Sequence, residues 1–142
     1  MRLPRKTHKP APTPAFTPSA GFTGGRALRK RPGEMNKLEQ SRAHELEAMR
    51  QSGEIVGWWF EALTLKLAAD TRYTPDFLVV YPDGRQVIEE VKGRWEDDAR
   101  AKIKVAADRF PWEFVGLTKR KKTDGGGWDR EAFKGWSDEV AR

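Results

Sequence analysis

The chain has 142 residues, of which 37% are hydrophobic and 34% charged, and its formal net charge is +6. That length fits one small globular domain with flexible segments and leaves no room for a second domain. With no cysteine and two histidines, disulfides and thiolate metal sites are excluded and a zinc centre is disfavoured. No segment resembles a membrane span or a secretion signal, so we expect a cytoplasmic protein.

The first 33 residues form a basic, proline-rich arm. It holds eight basic side chains, six of the nine prolines and no acidic residue, whereas the rest of the chain carries 19 basic and 21 acidic residues. Because it has few aliphatic residues, we predict that the arm, residues 1–33, is disordered when free. A mobile cationic arm can bind phosphates non-specifically through counterion release. The alternatives are a solubilising tail, or a stretch that is not translated if Met35 is the true start.

A helical pattern begins at Asn36 and ends at Gly53. The apolar residues that cluster on one side of it are Met35, Leu38, Ala43, Leu46 and Met49. Asn36 and Glu39 have the spacing of a capping box. An acidic side chain on the core side of a helix is costly without a partner, however, and a metal ion would provide one. Both roles stay open for Glu39, and Arg42 also interrupts the apolar stripe.

Residues 55–60 are rich in strand-forming side chains and predict the first strand. A loop through residues 65–70 leads to a hairpin with strands at 73–80 and 87–93. Residues 96–110 predict an amphipathic helix that ends at Pro111, and residues 112–118 predict a fourth strand. We place one domain at 34–122, followed at 123–142 by a glycine-rich linker and a short helix from Trp128. The order of helix, three strands, helix and strand predicts an α/β fold, a mixed sheet flanked by helices.

The hairpin carries Asp76 on one strand and Glu90 with Lys92 on the other. Side chains alternate along a strand, so Glu90 and Lys92 share a face with Ile88 while Glu89 points to the opposite face. The phase therefore favours Glu90 over Glu89. Neighbouring strands lie about 4.8 Å apart, close enough for the carboxylates of Asp76 and Glu90 to share one cation.

These residue types suit phosphodiester hydrolysis. Mg²⁺ prefers oxygen ligands and is usually held by one or two carboxylates together with water and substrate phosphate. A neighbouring lysine can orient or help deprotonate the attacking water and stabilise charge that develops on phosphate. The alternative is a solvated hairpin with ordinary surface charges. The Pro-Asp start and Glu-x-Lys-Gly end, in the right order and phase, favour the metal-dependent site.

The element order and the motif Pro75-Asp76 followed by Glu90-Val91-Lys92 resemble the PD-(D/E)XK, or restriction-endonuclease-like, nuclease superfamily. Residues 73–78, 90–93 and 95–98 with Arg100 are similar to the phage endonuclease I enzymes, which resolve four-way (Holliday) DNA junctions. The resemblance covers residues 36–118 and departs from the family in a longer hairpin turn and in the C-terminal tail. It implies a restriction-endonuclease-like core in which Asp76, Glu90 and Glu39 bind Mg²⁺, with Mn²⁺ able to substitute, and Lys92 assists the water.

The same resemblance implies branched DNA as the partner and a homodimer, since paired symmetric cuts need two sites. If the protein is phage-encoded, its location is the host cytoplasm. The residues that we expect to contact DNA are Arg94, Lys102, Lys119, Arg120, Lys121 and Lys122. Two alternatives stay open: a nuclease of the same fold that acts on flaps, single strands or duplex, and a non-catalytic DNA-binding protein. The intact acidic set counts against the second, because carboxylates without a metal disfavour phosphate binding.

Overall fold

The computed structural model describes residues 33–134. The predictions for the arm, apart from Gly33, and for the chain beyond residue 134 lie outside this range. This described part of the chain contains two helices, α1 (Lys37–Ser52) and α2 (Asp97–Arg109). The strands in chain order are β1 (Gly57–Phe60), β2 (Leu65–Ala68), β3 (Thr71–Tyr73), β4 (Phe77–Val80), β5 (Gln86–Lys92), β6 (Glu113–Lys119) and β7 (Trp128–Phe133). A short 3-10 helix, Lys122–Asp124, joins β6 to β7.

Five of the strands form one mixed sheet in the order β1-β4-β5-β6-β7. Only β5 and β6 are parallel to each other, and their connection is α2. Strands β2 and β3 form a separate antiparallel hairpin. The predicted α/β fold, a mixed sheet with helices, is confirmed.

The central strand β5 divides two cores. Val87 and Val91 point to the side of α1, where they join Leu46 in one hydrophobic cluster. Ile88 points to the other side, where Ile103 of α2 belongs to the second cluster. Alternating residues of one strand are therefore buried on both faces, as expected for a strand inside a sheet with helices on each side.

Helix α1 has the predicted ends. Asn36 and Glu39 form a capping box, and Gly53 closes the helix with a φ of 82°. This left-handed conformation favours glycine, which has no Cβ to clash. Within residues 33–134, no helix combines the length and apolarity needed to cross a membrane.

Three parts of the predicted element order are wrong. Residues 73–80 are not one strand, because Tyr73 ends β3, which pairs with β2, whereas β4 begins at Phe77 and pairs with β5. Residues 65–70 are not a loop, because Leu65 and Leu67 are buried in alternation with exposed neighbours and form β2. The segment that starts at Trp128 is a strand, not a helix, and pairs with β6 from Lys119↔Trp128 to Phe114↔Phe133. The free edge of β6 supplies backbone partners that the spacing of the aromatic residues does not reveal. The sheet thus continues past the predicted boundary at residue 122.

Candidate active site

Strands β4 and β5 bring two carboxylates together at one end of their pairing. Phe77 pairs with Glu89, so Asp76, one residue earlier, comes level with Glu90. The side chain of Asp76 is held by the backbone N–H of Val91, which donates to Oδ2 at 2.8 Å. Asp76 and Glu90 are only 6% and 5% exposed. The structure therefore brings together, inside the protein, the two acids that the hairpin phase selects.

The electrostatics of Asp76 differ from those of an ordinary surface aspartate. Burial and the neighbouring charge of Glu90 raise its pKa from 3.8 to about 7. The N–H of Val91 and the charge of Lys92 act in the opposite direction, and the charge of Glu39 adds to the increase. Asp76 thus lies among anions whose mutual repulsion a bound cation would relieve.

Both oxygens of Glu90 have a partner. The hydroxyl of Tyr73 donates to Oε2 at 2.8 Å, and the ammonium of Lys92 lies 2.6 Å from Oε1. Burial and the charge of Glu90 raise the pKa of Tyr73, so this hydroxyl keeps its proton and remains a donor. Tyr73 belongs to the motif at residues 73–78. Nothing in the sequence predicts that its hydroxyl contacts Glu90 on β5.

Lys92 lies on the same face as Glu90, and its side chain is 30% exposed. Burial lowers the pKa of this lysine, but the charges of Glu90, Asp76 and Glu39 outweigh that effect and raise it. Lys92 is therefore an ammonium ion at neutral pH. It can donate hydrogen bonds and stabilise negative charge. Of the two predicted roles of this lysine, acting on the attacking water and stabilising charge on phosphate, this is the second.

Glu39 lies in the first turn of α1, where it is 3% exposed. Its carboxylate accepts hydrogen bonds from the backbone N and the Nδ2 of Asn36 at 2.9 and 2.8 Å. The predicted capping role is confirmed. Leu38 lies against the end of β5, since its Cδ1 is 3.3 Å from the place where a Cβ on Gly93 would stand. The charge of Glu39 acts on Asp76, and its role in metal binding stays a prediction.

The aromatic side chains of Trp95 and Phe133 pack over Gly116, the residue of β6 that is level with Glu90. In the parallel pairing of β5 and β6, Glu90 is level with Gly116. A Cβ at Gly116 would come within 2.3 Å of the indole of Trp95 and 3.0 Å of the ring of Phe133. The missing side chain at position 116 leaves the space in which Trp95 and Phe133 pack onto the sheet, level with the strand position of Glu90.

The donors present suit a hard cation. Within the part of the chain that the structure describes, no group of three or more His, Cys, Asp or Glu side chains is arranged to hold a metal ion. Asp76 and Glu90 nevertheless supply the one or two carboxylates that Mg²⁺ ordinarily takes from a protein, where water and substrate oxygens complete its shell. Two buried, mutually repelling carboxylates therefore fit Mg²⁺ or Mn²⁺.

The opposite face of β5 holds an acid with a different environment. Glu89 is 0% exposed. Its oxygens accept from Nε and Nη2 of Arg42, each at 2.8 Å, and Arg130 approaches to 3.6 Å. This ion pair was not predicted, although Arg42 in an apolar stripe and Glu89 on a core-facing strand position each imply a buried partner.

The residues expected to contact DNA are spread over three places. Because Lys92 pairs with Thr118, the run 119–122 leaves β6 at the end of the sheet where the acids lie. In this run Lys119 lies 4.3 Å from the Trp128 ring and 3.9 Å from Glu45, and Arg120 binds Asp129 at 2.7 Å. The other two members, Lys121 and Lys122, are exposed. Arg94 is also exposed just after β5, whereas Lys102 lies apart on α2.

Comparison with models of protein families, with curated proteins and with solved structures finds no match. The chemistry of the site rests on its own residues, which are two buried carboxylates, one ammonium and one tyrosine hydroxyl. Such a set can bind a divalent cation, hold a water molecule beside it and stabilise charge on phosphate oxygens.

Proposed function

We propose that the protein is a Mg²⁺-dependent endodeoxyribonuclease that hydrolyses DNA phosphodiester bonds, built on a restriction-endonuclease-like core. We further propose that it is a homodimer selective for four-way junctions. The observation that carries the nuclease assignment is the pairing of two buried carboxylates, Asp76 and Glu90, beside the ammonium of Lys92. Catalytic sites are a usual setting for a buried acid whose pKa is raised by burial and by a neighbouring charge, as that of Asp76 is.

Asp76 and Glu90 would hold the cation. Each is oriented by a neutral donor, the N–H of Val91 for Asp76 and the hydroxyl of Tyr73 for Glu90. Partners of this kind fix the direction of a ligand oxygen and leave its charge intact. A bound divalent cation lowers the pKa of a coordinated water and neutralises charge on the phosphate.

Lys92 supplies the remaining chemistry. Its ammonium points from the face that carries Glu90, and nearly a third of the side chain stays accessible to a substrate. Its N–H groups can orient a water for attack and donate to a non-bridging phosphate oxygen as charge develops there. Burial of the neighbouring acids keeps bulk water away, so that these charges interact more strongly than at an open surface.

The substrate would approach from the end of the sheet where the exposed Lys121 and Lys122 follow β6. Cations at this place can bind phosphates on either side of the scissile bond and thereby set the register of the strand. Selectivity for junctions and dimerisation are supported by the family resemblance. Two sites at a fixed separation suit symmetric cuts in a branched molecule.

One gel assay tests the proposal. A labelled four-way junction, a flap and a linear duplex of the same sequence are incubated with the protein in Mg²⁺, in Ca²⁺ or without metal, next to an Asp76→Asn variant. We expect paired symmetric cuts in the junction in Mg²⁺ only, and none by the variant. Equal cutting of all substrates would eliminate junction selectivity and leave a general nuclease. DNA binding without cleavage in Mg²⁺ would overturn the nuclease assignment.

A further inference from the structure

The β2–β3 hairpin has two faces of opposite character. Leu65, Leu67 and Tyr73 are buried on one face and belong to the same cluster as α2. On the other face Lys66 and Arg72 are exposed. The alternation of the two strands thus separates a packing face from a cationic face.

The two cations stand directly opposite each other, since Lys66 pairs with Arg72 in the antiparallel register. Like charges directly opposite each other destabilise an antiparallel pair of strands. Within residues 33–134, neither side chain forms a salt bridge or a hydrogen bond. A sequence selected only for a stable hairpin would place an acid at one of the two positions.

The same face continues with two hydroxyl groups. Thr64 and Thr74 lie one step further along the hairpin, and their Oγ1 atoms are 2.9 Å apart. Both residues are exposed. The face therefore offers two cations followed by two hydroxyl groups, a combination that suits phosphate oxygens.

This face is fixed relative to the candidate active site. Arg72 directly precedes Tyr73, whose hydroxyl donates to Glu90 from the buried side of the hairpin. Asp76 follows within four residues of Arg72. One short segment thus carries the cationic face, the donor to Glu90 and one of the two acids.

We propose that the exposed face of the β2–β3 hairpin, with Lys66 and Arg72 as its centre, is a phosphate grip that binds the backbone of the DNA next to the Asp76 and Glu90 site. The inference rests on the proposed function and names a binding surface for its substrate. Charge complementarity selects the occupant. Two opposed cations, unfavourable in the free protein, become favourable when they share the charge of the phosphate backbone.

The test compares two double variants that remove the same charge. Lys66→Gln/Arg72→Gln alters the grip. Arg50→Gln/Arg85→Gln is the matched control, since these arginines are paired with Glu47 and Asp83 at 2.7 and 2.8 Å in the last turn of α1 and in the β4–β5 turn. The affinity of each protein for a four-way junction and a duplex is measured in Ca²⁺ over a series of salt concentrations, together with the thermal unfolding temperature.

We expect the grip variant to bind both DNAs more weakly and to lose about 0.9 per phosphate contact, about 1.8 in all, from the slope of log affinity against log salt. Its unfolding temperature should stay equal or rise, because a like-charge pair has been removed. If Lys66 and Arg72 had a purely structural role, replacing them would not weaken DNA binding while the unfolding temperature rises. The control variant should bind nearly as tightly as the wild type.

A grip variant that binds DNA as tightly as the control variant, with an unchanged salt slope, overturns the proposal. This holds even if the grip variant has lost affinity for an acidic peptide or an anionic vesicle. The two hypotheses fail separately. Wild-type protein that binds DNA through Lys66 and Arg72 but does not cut it in Mg²⁺ contradicts the nuclease assignment alone. Wild-type protein that cuts DNA while the grip variant binds normally contradicts the grip alone.

Discussion

Glu89 and Glu90 are neighbours on β5, and both are buried, yet the two faces of the strand give them different surroundings. Glu89 is fully enclosed and accepts from both arms of the Arg42 guanidinium. Glu90 shares its face with a second acid, Asp76, and with Lys92, whose side chain is 30% exposed. One face neutralises its acid with a permanent internal partner, and the other gathers acids next to an accessible ammonium.

The difference indicates what each face can do. A bidentate arginine on a buried glutamate leaves no room for a metal or a substrate, so that pair joins α1 to β5. Asp76 and Glu90 repel each other, and the raised pKa of Asp76 expresses the free energy that the folded protein loses by ionising it. A bound cation would recover that free energy, which is why we propose this face as the catalytic one.

The largest expected effect is the loss of DNA cleavage when residues on the Glu90 face are replaced. Asp76→Asn and Lys92→Ala should each reduce cleavage by about three orders of magnitude or more, because they remove a proposed metal ligand and the ammonium proposed to stabilise charge on phosphate. Binding of DNA in Ca²⁺ by Lys92→Ala should stay close to wild type. Single-turnover rates on a junction measure the effect. Glu113→Gln, an exposed carboxylate at the far end of β6, is the control and should cut normally.

Substitutions on the Glu89 face should lower the free energy of unfolding. Replacing Glu89 with Gln, or Arg42 with Met, removes the bidentate partner of a buried ion. The partners that remain, Arg130 at 3.6 Å from Glu89 and Glu45 at 3.0 Å from Arg42, are themselves partly exposed to solvent. Each substitution should therefore cost about 3–5 kcal/mol. Urea unfolding measures that loss. The double variant Arg42→Met/Glu89→Leu should recover most of it, since apolar residues of similar size often replace a buried pair without loss. A double variant as unstable as the single ones would contradict this reading.

Glu39 is linked to both faces of β5. It caps α1, which packs on the Glu89 face, and its charge acts on Asp76, which lies on the Glu90 face. Glu39→Gln keeps an oxygen that can accept from Asn36, so the free energy of unfolding should change by less than about 1 kcal/mol. Cleavage should fall by about 10–100-fold, as for other residues next to a metal site. Loss of stability with normal cleavage would leave capping as its only role.

The smallest effect is on the pH dependence of stability without metal. The pKa of Asp76 is raised from 3.8 to about 7, so the folded state binds more protons than the unfolded state between these values. Its contribution should therefore make the protein less stable as the pH rises from about 4 to about 7. Unfolding in a chelator, with Asp76→Asn as the comparison, measures this. If the variant keeps the full pH dependence, Asp76 is not its source.

The features that the sequence predicts correctly depend on local interactions. Period-two alternation and one tight turn are enough to bring Asp76 level with Glu90 and to put Lys92 on the same face. Asn36 and Gly53 mark the ends of α1 through contacts within one turn of the helix.

The interactions that were missed join distant parts of the chain. Arg42 and Glu89 are 47 residues apart, and they meet only because α1 packs across β5. The strand from Trp128 depends on the free edge of β6, which no local pattern in 128–133 announces. Tyr73 contacts Glu90 only because residues 65–73 fold back as a hairpin.

A single side-by-side assay tests the division between the two faces most directly. Wild type, Glu90→Gln and Arg42→Met/Glu89→Leu, each checked for folding, are incubated with a four-way junction in Mg²⁺. We predict that the wild type and the double variant cut it at similar rates, and that Glu90→Gln binds but does not cut. Cleavage by Glu90→Gln at the wild-type rate, or no cleavage by the wild type, would contradict an active site at Asp76 and Glu90.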